Sequence, residues 1–316
     1  MTNKLDITQI EIAQSWLADG HKIAIAIVTQ SWGSSPRQAG AIMLIRDDHM
    51  ISGSVSGGCI EGQVISEAAA LFETKKPQLL SEGVDDETAW SQGLSCGGQI
   101  DLMLTLIEEG FIAPALIDES AAIIAKRGDA RLVLNTQTGS AYIKADKHPL
   151  LADELAFSIT PRKQLIIIGA GHISQHLAMM AQQTDFAVTV IDPRSLFITQ
   201  ARFPNCRLID DWPEKALSSG QLDEETALAV LTHNPRIDDQ ALIAGLHAQP
   251  FHIAALGSRR THEKRQNRLK EQGFTEAEIA RIKGPAGLAI GAVSPAEIAL
   301  SIMAEIISYY RGGKIR

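Results

Sequence analysis

Apolar and polar residues follow two different rhythms along this chain. Before residue 146, short β-branched segments alternate with segments whose apolar residues recur every three or four positions, which is typical of strands interspersed with amphipathic helices. We expect this part to form an α+β domain with a mixed sheet. The pattern predicts helices over 8–19, 60–72 and 115–126, strands over 23–29, 41–45, 50–55, 78–82 and 100–106, and a hairpin over 131–144.

From Gln164 onward, continuous apolar segments alternate with longer helical ones. Strands whose residues are all apolar are covered on both faces, which is typical of a doubly wound parallel sheet. The last helix is predicted to begin after Ser294, where Pro295 and Glu297 complete a capping-box pattern. The strands of this part are predicted over 165–168, 187–191, 207–209, 226–232 and 251–256.

The two rhythms predict an α/β protein of two domains. An N-terminal α+β domain is expected over 1–145, a connecting segment over 146–163, and a C-terminal Rossmann-like domain over 164–316. The length of 316 residues agrees with two domains, because it exceeds what one hydrophobic core usually serves. With 45% hydrophobic residues, both domains can bury a core.

Charge and cysteine content narrow the class of protein further. A formal net charge of -8 argues against a general nucleic-acid or acidic-membrane binder. No apolar run reaches the roughly 18 residues that a membrane helix needs, and no signal peptide is visible at the N-terminus. The three cysteines, an odd number, fit no disulfide framework. We therefore expect a cytoplasmic protein with free thiols, in which Cys206 belongs to the core.

Two glycine-rich loops each contain one of the other cysteines. Cys59 follows Gly57 and Gly58, whereas Cys96 precedes a second pair of glycines at 97–98. A Gly-Gly step allows positive φ and a close approach of the backbone to a ligand. The matched loops predict that the two cysteines share a site, as ligands or nucleophiles. The alternative is that each is a loop residue without a role, and neither loop has the cysteine spacing of a zinc site or a redox motif.

A third glycine turn follows the first strand of the C-terminal part. Gly169 and Gly171 occupy the first two positions of the dinucleotide-binding fingerprint, and Ser174 replaces the third glycine. Asp192 ends the next strand, where an acid would accept hydrogen bonds from a ribose. This arrangement predicts a Rossmann-type domain that could bind NAD(P). The alternative is a turn retained for packing that binds nothing, with His172 as a packing group.

Cationic residues lie at further turns where a phosphate could bind. Arg37 lies in a turn with glycine and proline neighbours, and Arg259 and Arg260 follow the fifth strand of the C-terminal sheet. His233 ends the fourth strand at the same edge, where doubly wound sheets bind ligands. A solvated surface role is the alternative for each of these side chains.

The motifs together resemble those of the XdhC/CoxI family, and the likeness extends over nearly the whole chain. It rests on residues 33–37 with Gly40, 56–61, 94–98, 169–172, 232–234, 257–260, 284–288, 290–292 and 295–299. The resemblance implies a maturation factor without turnover of its own. It implies binding of the molybdenum cofactor, a pterin with a dithiolene and a terminal phosphate or nucleotide. It also implies a cysteine desulfurase that forms the terminal sulfido ligand, and a xanthine dehydrogenase-type molybdenum hydroxylase as client.

Two functional interpretations follow from the sequence. The first is a homodimeric chaperone for molybdopterin or its dinucleotide form. The second is an NAD(P)-dependent oxidoreductase, although no acid–base pair stands near a hydride site. A zinc protein has the poorest support. The candidate cofactor-binding residues are Arg37, Gly57, Gly58, Cys59, Cys96, Gly97, Gly98, Gly169, Gly171, His172, Asp192, His233, Arg259 and Arg260, with Cys59 or Cys96 as a possible metal ligand.

Overall fold

The protein is described by a computed structural model that covers residues 3–33, 37–58, 60–84, 98–144, 149–217 and 221–313. The chain divides into two compact units, Met1–Pro161 and Arg162–Arg316. Each unit has its own hydrophobic clusters.

The first unit contains two sheets and three longer helices in its described residues. The helices are α1 (Ile7–Ala18), α2 (Glu61–Thr74) and α3 (Pro114–Ala125). The larger sheet has the order β3-β2-β1-β5-β4 and consists of β1 (Ile23–Gly33), β2 (Ile42–Arg46), β3 (Ile51–Gly53), β4 (Gln78–Val84) and β5 (Gly98–Leu106). The smaller sheet has the order β7-β6-β8 and consists of β6 (Ala130–Asn135), β7 (Ala141–Lys144) and β8 (Glu154–Ile159).

The sheets of this unit differ from the expectation in two respects. All neighbouring strands pair antiparallel, rather than in the mixed sheet that the sequence predicts. Short connections such as the turn at 47–50 reverse the chain, whereas a parallel neighbour requires a long crossover. The segment expected to connect the domains, 146–163, contains strand β8, which pairs with β6.

The larger sheet of the first unit is covered on both faces. Ile23, Ile25 and Ile27 pack into one cluster with residues of α1, α3 and the smaller sheet. The intervening residues of β1 pack into a second cluster with α2. Because both faces are buried, β1 is a continuous apolar run rather than an alternating one.

The second unit is the doubly wound parallel sheet expected from the sequence. Its strand order is β11-β10-β9-β12-β13-β14, and all neighbouring pairs are parallel. The strands are β9 (Gln164–Ile168), β10 (Ala187–Ile191), β11 (Arg207–Ile209), β12 (Thr226–Val230), β13 (His252–Ala255) and β14 (Ile282–Lys283). The helices are α4 (His172–Gln183), α5 (Pro213–Ala216), α6 (Pro235–Ala248), α7 (Arg259–Glu271), α8 (Glu276–Ile279) and α9 (Pro295–Arg311).

Helices pack on both faces of this parallel sheet. Leu165 and Ile167 of β9 contribute to one cluster with α4 and α9, whereas Ile166 and Ile168 contribute to the other with α6 and α7. Cys206 is buried in the first cluster, as the sequence predicts. The predicted capping box of α9 is confirmed.

Candidate functional site

The glycine turn of the second unit joins β9 to α4 at the carboxyl edge of the sheet. Gly169 has a φ of +100°, and a Cβ placed there would lie 2.5 Å from Cγ2 of Thr232. Only glycine allows both this backbone conformation and this contact. Gly171 caps α4 with a φ of −78°, and a Cβ there would meet no atom of the described residues within 4 Å. The turn therefore packs tightly against the end of β12 on one side and is open at Gly171.

The helix that follows the turn begins directly after Gly171. His172 is its first residue, is exposed, and lies with its ring centroid 5.0 Å from that of His176. Ser174 is fully buried, and its hydroxyl has no hydrogen-bond partner in the part of the chain that the structure describes. A small residue at the third fingerprint position thus preserves the close packing of helix on strand.

Asp192 is held by protein groups. Its side chain is fully buried, and Oδ2 accepts a hydrogen bond of 2.7 Å from the amide of Ala170. The guanidinium of Arg194 donates to both carboxylate oxygens, at 2.8 and 2.7 Å, and its amide donates a third bond. Burial acts to raise the pKa of Asp192, but these donors outweigh it and lower the pKa. A ribose could reach this acid only by displacing Arg194.

Three neighbouring turns lie together at the carboxyl edge. The amide of Leu231, after β12, donates to the carbonyl of Ile168 at the end of β9. The amide of Leu256, after β13, donates in the same way to Val230. Because β12 lies between β9 and β13, the turn that contains His233 adjoins the glycine turn on one side and the turn before α7 on the other. The glycine turn and the His233 turn flank the point where the strand order reverses. This is the switch point at which doubly wound sheets bind ligands.

The turn after β12 presents an exposed histidine in an unusual conformation. His233 has a φ of +64°, in the left-handed region that residues other than glycine rarely adopt. Asn234 then caps α6 by accepting a 3.1 Å hydrogen bond from the amide of Arg236. Backbone strain of this kind is concentrated at functional sites.

Arg259 and Arg260 are the first two residues of α7. Both are exposed, and within the described part of the chain their side chains make no hydrogen bond or ion pair. Ser258 caps the helix, and the first turn contains no acidic residue. Cations at a helix N-terminus are opposed by the helix dipole, whereas an anion is favoured there. The two arginines therefore form an unsatisfied cationic surface at the ligand edge.

A buried ion pair and its hydrogen bonds connect the elements at this edge of the sheet. Asp238 and Arg265 are each 2% exposed, with 3.7 Å between Oδ2 and Nη2. Thr232 donates a 2.5 Å hydrogen bond to Asp238, and Arg265 donates one of 2.8 Å to the carbonyl of Leu256. Burial raises the pKa of Asp238 despite these partners, and it lowers the pKa of nearby His262. The cluster ties the ends of β12 and β13 to α6 and α7.

Sequence reasoning missed this cluster because α7 is rich in charge throughout. The spacing of residues could have indicated it. Arg265 lies four residues before Leu269, so both side chains lie on the same, buried face of α7.

The described glycine loop of the first unit surrounds a carboxylate of its own chain. Oε1 of Glu61 accepts from the hydroxyl of Ser54 at 2.6 Å and from the amides of Ser56 at 2.9 Å and Gly57 at 3.1 Å. Oε2 accepts from the Ser56 hydroxyl at 2.5 Å and the Gly58 amide at 2.9 Å. The inner amides of this loop therefore bind Glu61.

The two glycines have the conformations that the motif requires. Gly57 and Gly58 have φ values of +84° and +124°. Among the residues that the structure describes, a Cβ at Gly58 would meet nothing within 4 Å. Cys59, Cys96 and Gly97 lie outside the described residues, and Gly98 is the first residue of β5.

Arg37 contacts the same loop. Its Nε donates a 3.0 Å hydrogen bond to the carbonyl oxygen of Ser54, and its Nη2 donates one of 3.1 Å to Oδ2 of Asp6. Ser54 in turn donates to Glu61. The structure thus connects Arg37 to the glycine loop through protein groups, and Glu61 is the loop residue that sequence reasoning did not single out.

The described residues offer neither a metal cluster nor a membrane-spanning helix. Within the described ranges, no group of three or more His, Cys, Asp or Glu side chains could hold a metal ion. Among those same residues, no helix has the length and apolar character needed to cross a membrane.

The strand order and the glycine turn define a protein with a Rossmann-type domain. The turn differs from that of a typical dinucleotide site because its acid is paired with Arg194. Within this class, the chain belongs to the XdhC and CoxI family. Residues 16–82 match the XdhC and CoxI family, and residues 165–306 match the XdhC Rossmann domain.

Similar proteins include two curated relatives and one solved structure. A probable xanthine dehydrogenase subunit of Bacillus subtilis is 30% identical, over 92% of this chain and 94% of that protein. The "Molybdenum cofactor insertion chaperone PaoD" of Escherichia coli is 29% identical, over 95% of this chain and 87% of that protein. A crystal structure described as a xanthine dehydrogenase from Bacillus halodurans has a TM-score of 0.81 at 23% identity and covers 96% of each chain. This last likeness establishes the fold.

Proposed function

We propose that this protein binds the molybdenum cofactor as cargo and delivers it to a xanthine dehydrogenase-type molybdenum hydroxylase. A cysteine desulfurase would form the terminal sulfido ligand while the cofactor is held. The observation that carries the proposal is the cationic surface of Arg259 and Arg260, which lies at the same sheet edge as the glycine turn. Among the described residues, neither side chain has a hydrogen bond or an ion pair. An insertion chaperone among the relatives supports the same role.

The terminal phosphate is assigned to the carboxyl edge of the second unit. The N-termini of α4 and α7 both direct backbone amides and a positive dipole end toward this edge. Arg259 and Arg260 add fork-shaped donors that match a phosphate. Gly171→Val tests the assignment, since the open space around Gly171 lets the fold persist while the valine obstructs the ligand. Retention of wild-type cofactor affinity would contradict it.

Cys59 or Cys96 is proposed to contribute to retention of the cofactor. The glycine content and thiols of the two cysteine loops suit a dithiolene, and in the first loop Glu61 accepts hydrogen bonds from the amides of Ser56, Gly57 and Gly58. The test compares bound molybdenum in Cys59→Ala and Cys96→Ala after anaerobic purification. Cys206→Ala is the matched control, because Cys206 is buried in the core of the second unit. Loss of molybdenum from either Cys59→Ala or Cys96→Ala supports the proposal. If both variants fold and bind as much molybdenum as the wild type, the proposal is contradicted.

Delivery is tested by activity gained by the client. Loaded protein is mixed with an apo molybdenum hydroxylase, and substrate oxidation is followed with time. We expect activity to rise with the amount of loaded protein, and the protein alone to show no turnover. The partners in this scheme are the client, a cysteine desulfurase and a second copy of this chain.

The second candidate is an NAD(P)-dependent oxidoreductase. It is favoured by the strand order and by the glycine turn, which dinucleotide folds share. The pairing of Asp192 with Arg194 disfavours the usual ribose contact. Stabilisation of the protein by NAD(P), together with steady NAD(P)-dependent oxidation of a small substrate, would support this candidate over the chaperone.

A further inference from the structure

Arg194 occupies the acid that a dinucleotide-binding domain offers to a ribose. Asp192 directly follows β10, the neighbour of β9, which is where such domains bind the ribose of NAD. Its side chain is 0% exposed, whereas that of Arg194 is 45% exposed. Of the described groups that bind the carboxylate, two are backbone amides, and the third is the Arg194 side chain. Only that side chain can move away without a change in the backbone.

The hydrogen bonds to Asp192 leave it no capacity to accept further ones. An ionised carboxylate accepts about four hydrogen bonds, two on each oxygen. Oδ1 accepts from the amide and from Nε of Arg194, at 2.9 and 2.8 Å. Oδ2 accepts from Nη2 of Arg194 and from the amide of Ala170, both at 2.7 Å. Because protein groups occupy all four positions, the hydroxyls of a ribose would find no free acceptor here.

The guanidinium of Arg194 is held in this position by a second contact. Its Cζ lies 4.5 Å from the centre of the Phe197 ring, which is a cation–π contact. The ring belongs to the same turn, because the amide of Phe197 donates a 2.9 Å hydrogen bond to the carbonyl of Arg194. Arg202 in turn donates to the carbonyl of Phe197. The arginine is therefore positioned before any ligand arrives.

A ribose competes poorly with Arg194 for this carboxylate. The pair joins two charged groups through two parallel hydrogen bonds, whereas ribose hydroxyls are neutral donors. Removal of the arginine side chain would free one acceptor position on each oxygen of Asp192. Two adjacent hydroxyls of a ribose could then fill these two positions. The side chain of Arg194 therefore decides whether the acid is available to a nucleotide.

We propose that Arg194 is a specificity-determining residue that closes the second unit to NAD(H). It takes the two acceptor positions that the adenosine ribose would use, and so excludes a competing ligand of the same fold class. The glycine turn and its amides stay available to a phosphate that is not attached to this ribose. The inference does not depend on which cargo the protein carries, and it opposes the oxidoreductase as a function.

The test is isothermal titration of the full-length protein with NADH and NADPH. We expect the wild type to bind neither with a Kd below about 1 mM. Arg194→Ala should bind NADH at least about tenfold more tightly, as expected for new hydrogen bonds to a charged group. NADPH should gain nothing, because its 2′-phosphate would meet the uncovered carboxylate. Arg207→Ala is the matched control, since this exposed arginine begins β11 at the opposite edge of the sheet.

Two further variants separate the role of Arg194 from a general loosening of the turn. Arg194→Lys cannot bind both oxygens as a fork, so it should show a smaller gain in NADH affinity. Asp192→Ala/Arg194→Ala should show none, and thermal unfolding checks that each variant is folded.

Three results would overturn the proposal. The first is a wild type that binds NADH as tightly as Arg194→Ala, which needs no folded variant to be seen. The second is a folded Arg194→Ala without a gain, or with an equal gain for NADPH. The third is a gain that persists in the double variant. Molybdenum bound by the same wild-type protein is measured separately, so failure of the proposed function is distinguishable from failure of this inference.

Discussion

Replacing Glu61 with glutamine tests whether its carboxylate organises the first glycine loop. The change retains the shape of the side chain but removes its charge. One carboxylate oxygen becomes an NH₂ group that must face donors such as the Ser56 hydroxyl or the Gly58 amide. Two donors facing each other leave both unsatisfied, so we expect the first unit to lose stability.

The size of the effect follows from the pKa of this carboxyl group. Burial acts to raise it, but hydrogen bonds from the hydroxyls of Ser54 and Ser56 and from the Ser56 amide lower it from 4.5 to about 2. A change of this size corresponds to about 3.4 kcal/mol at most. Screening of a partly exposed group by solvent reduces this by about half, to about 1.7 kcal/mol. For a unit of this length, the midpoint of thermal unfolding should fall by about 3–7 °C.

The sign of the pH dependence distinguishes this mechanism from a general packing defect. Because the folded pKa lies below the unfolded one, the contribution of Glu61 is present above pH 4.5 and is lost as the pH falls toward 2. Urea unfolding of wild type and Glu61→Gln at pH 7 and at pH 3 measures it. Glu73→Gln, an exposed position on the same helix, is the control. The reasoning is refuted if both variants are equally stable at pH 7, or if the deficit of Glu61→Gln is undiminished at pH 3.

Three further predictions concern the second unit and use urea unfolding. Gly169→Ala should lower the free energy of unfolding by about 2–3 kcal/mol, because the new methyl group would lie 2.5 Å from Thr232 and the backbone has a positive φ. Gly171→Ala should change it by less than about 0.5 kcal/mol. Equal effects of the two substitutions would contradict this prediction. Arg265→Leu should cost about 3–5 kcal/mol by leaving Asp238 buried without its partner, whereas exposed Lys264→Leu should be nearly neutral. Asp192→Asn should lower the free energy of unfolding by about 2–3 kcal/mol at pH 7. This loss should become smaller in acid, because the pKa of Asp192 is lower in the folded protein than in the unfolded one. A loss that does not depend on pH would show that the charge of Asp192 is not its cause.

The architecture of the second unit was predictable because its strands are continuous apolar segments, a pattern that is typical of a parallel sheet covered on both faces. Leu165 to Ile168 are buried on both faces, so an apolar run between helices indicates a parallel strand. Strands β8 and β14 were not predicted, for different reasons. Strand β14 has only two residues, and β8 depends on pairing with β6, which lies about 25 residues earlier in the chain. Pairing between distant segments leaves no local signal in the sequence.

The candidate site was predictable in its positions but not in its contacts. The sequence locates Asp192 at the end of β10, but not the rotamer with which Arg194 occupies both of its oxygens. It also places Glu61 three residues after Gly58, without showing that the loop amides bind this carboxylate. Such contacts depend on φ values and side-chain rotamers, which residue type restricts only weakly.

Anaerobic co-purification with the molybdenum cofactor tests the central claim most directly. Wild-type protein and the Arg259→Ala/Arg260→Ala variant are produced in cells that make the cofactor, and molybdenum and pterin are measured per chain. We expect both to accompany the wild type in equal amounts. The variant should lose most of each while remaining folded, because both arginines are exposed. Wild type free of molybdenum and pterin, or a variant that retains both in full, would contradict the assignment of the cofactor to this edge.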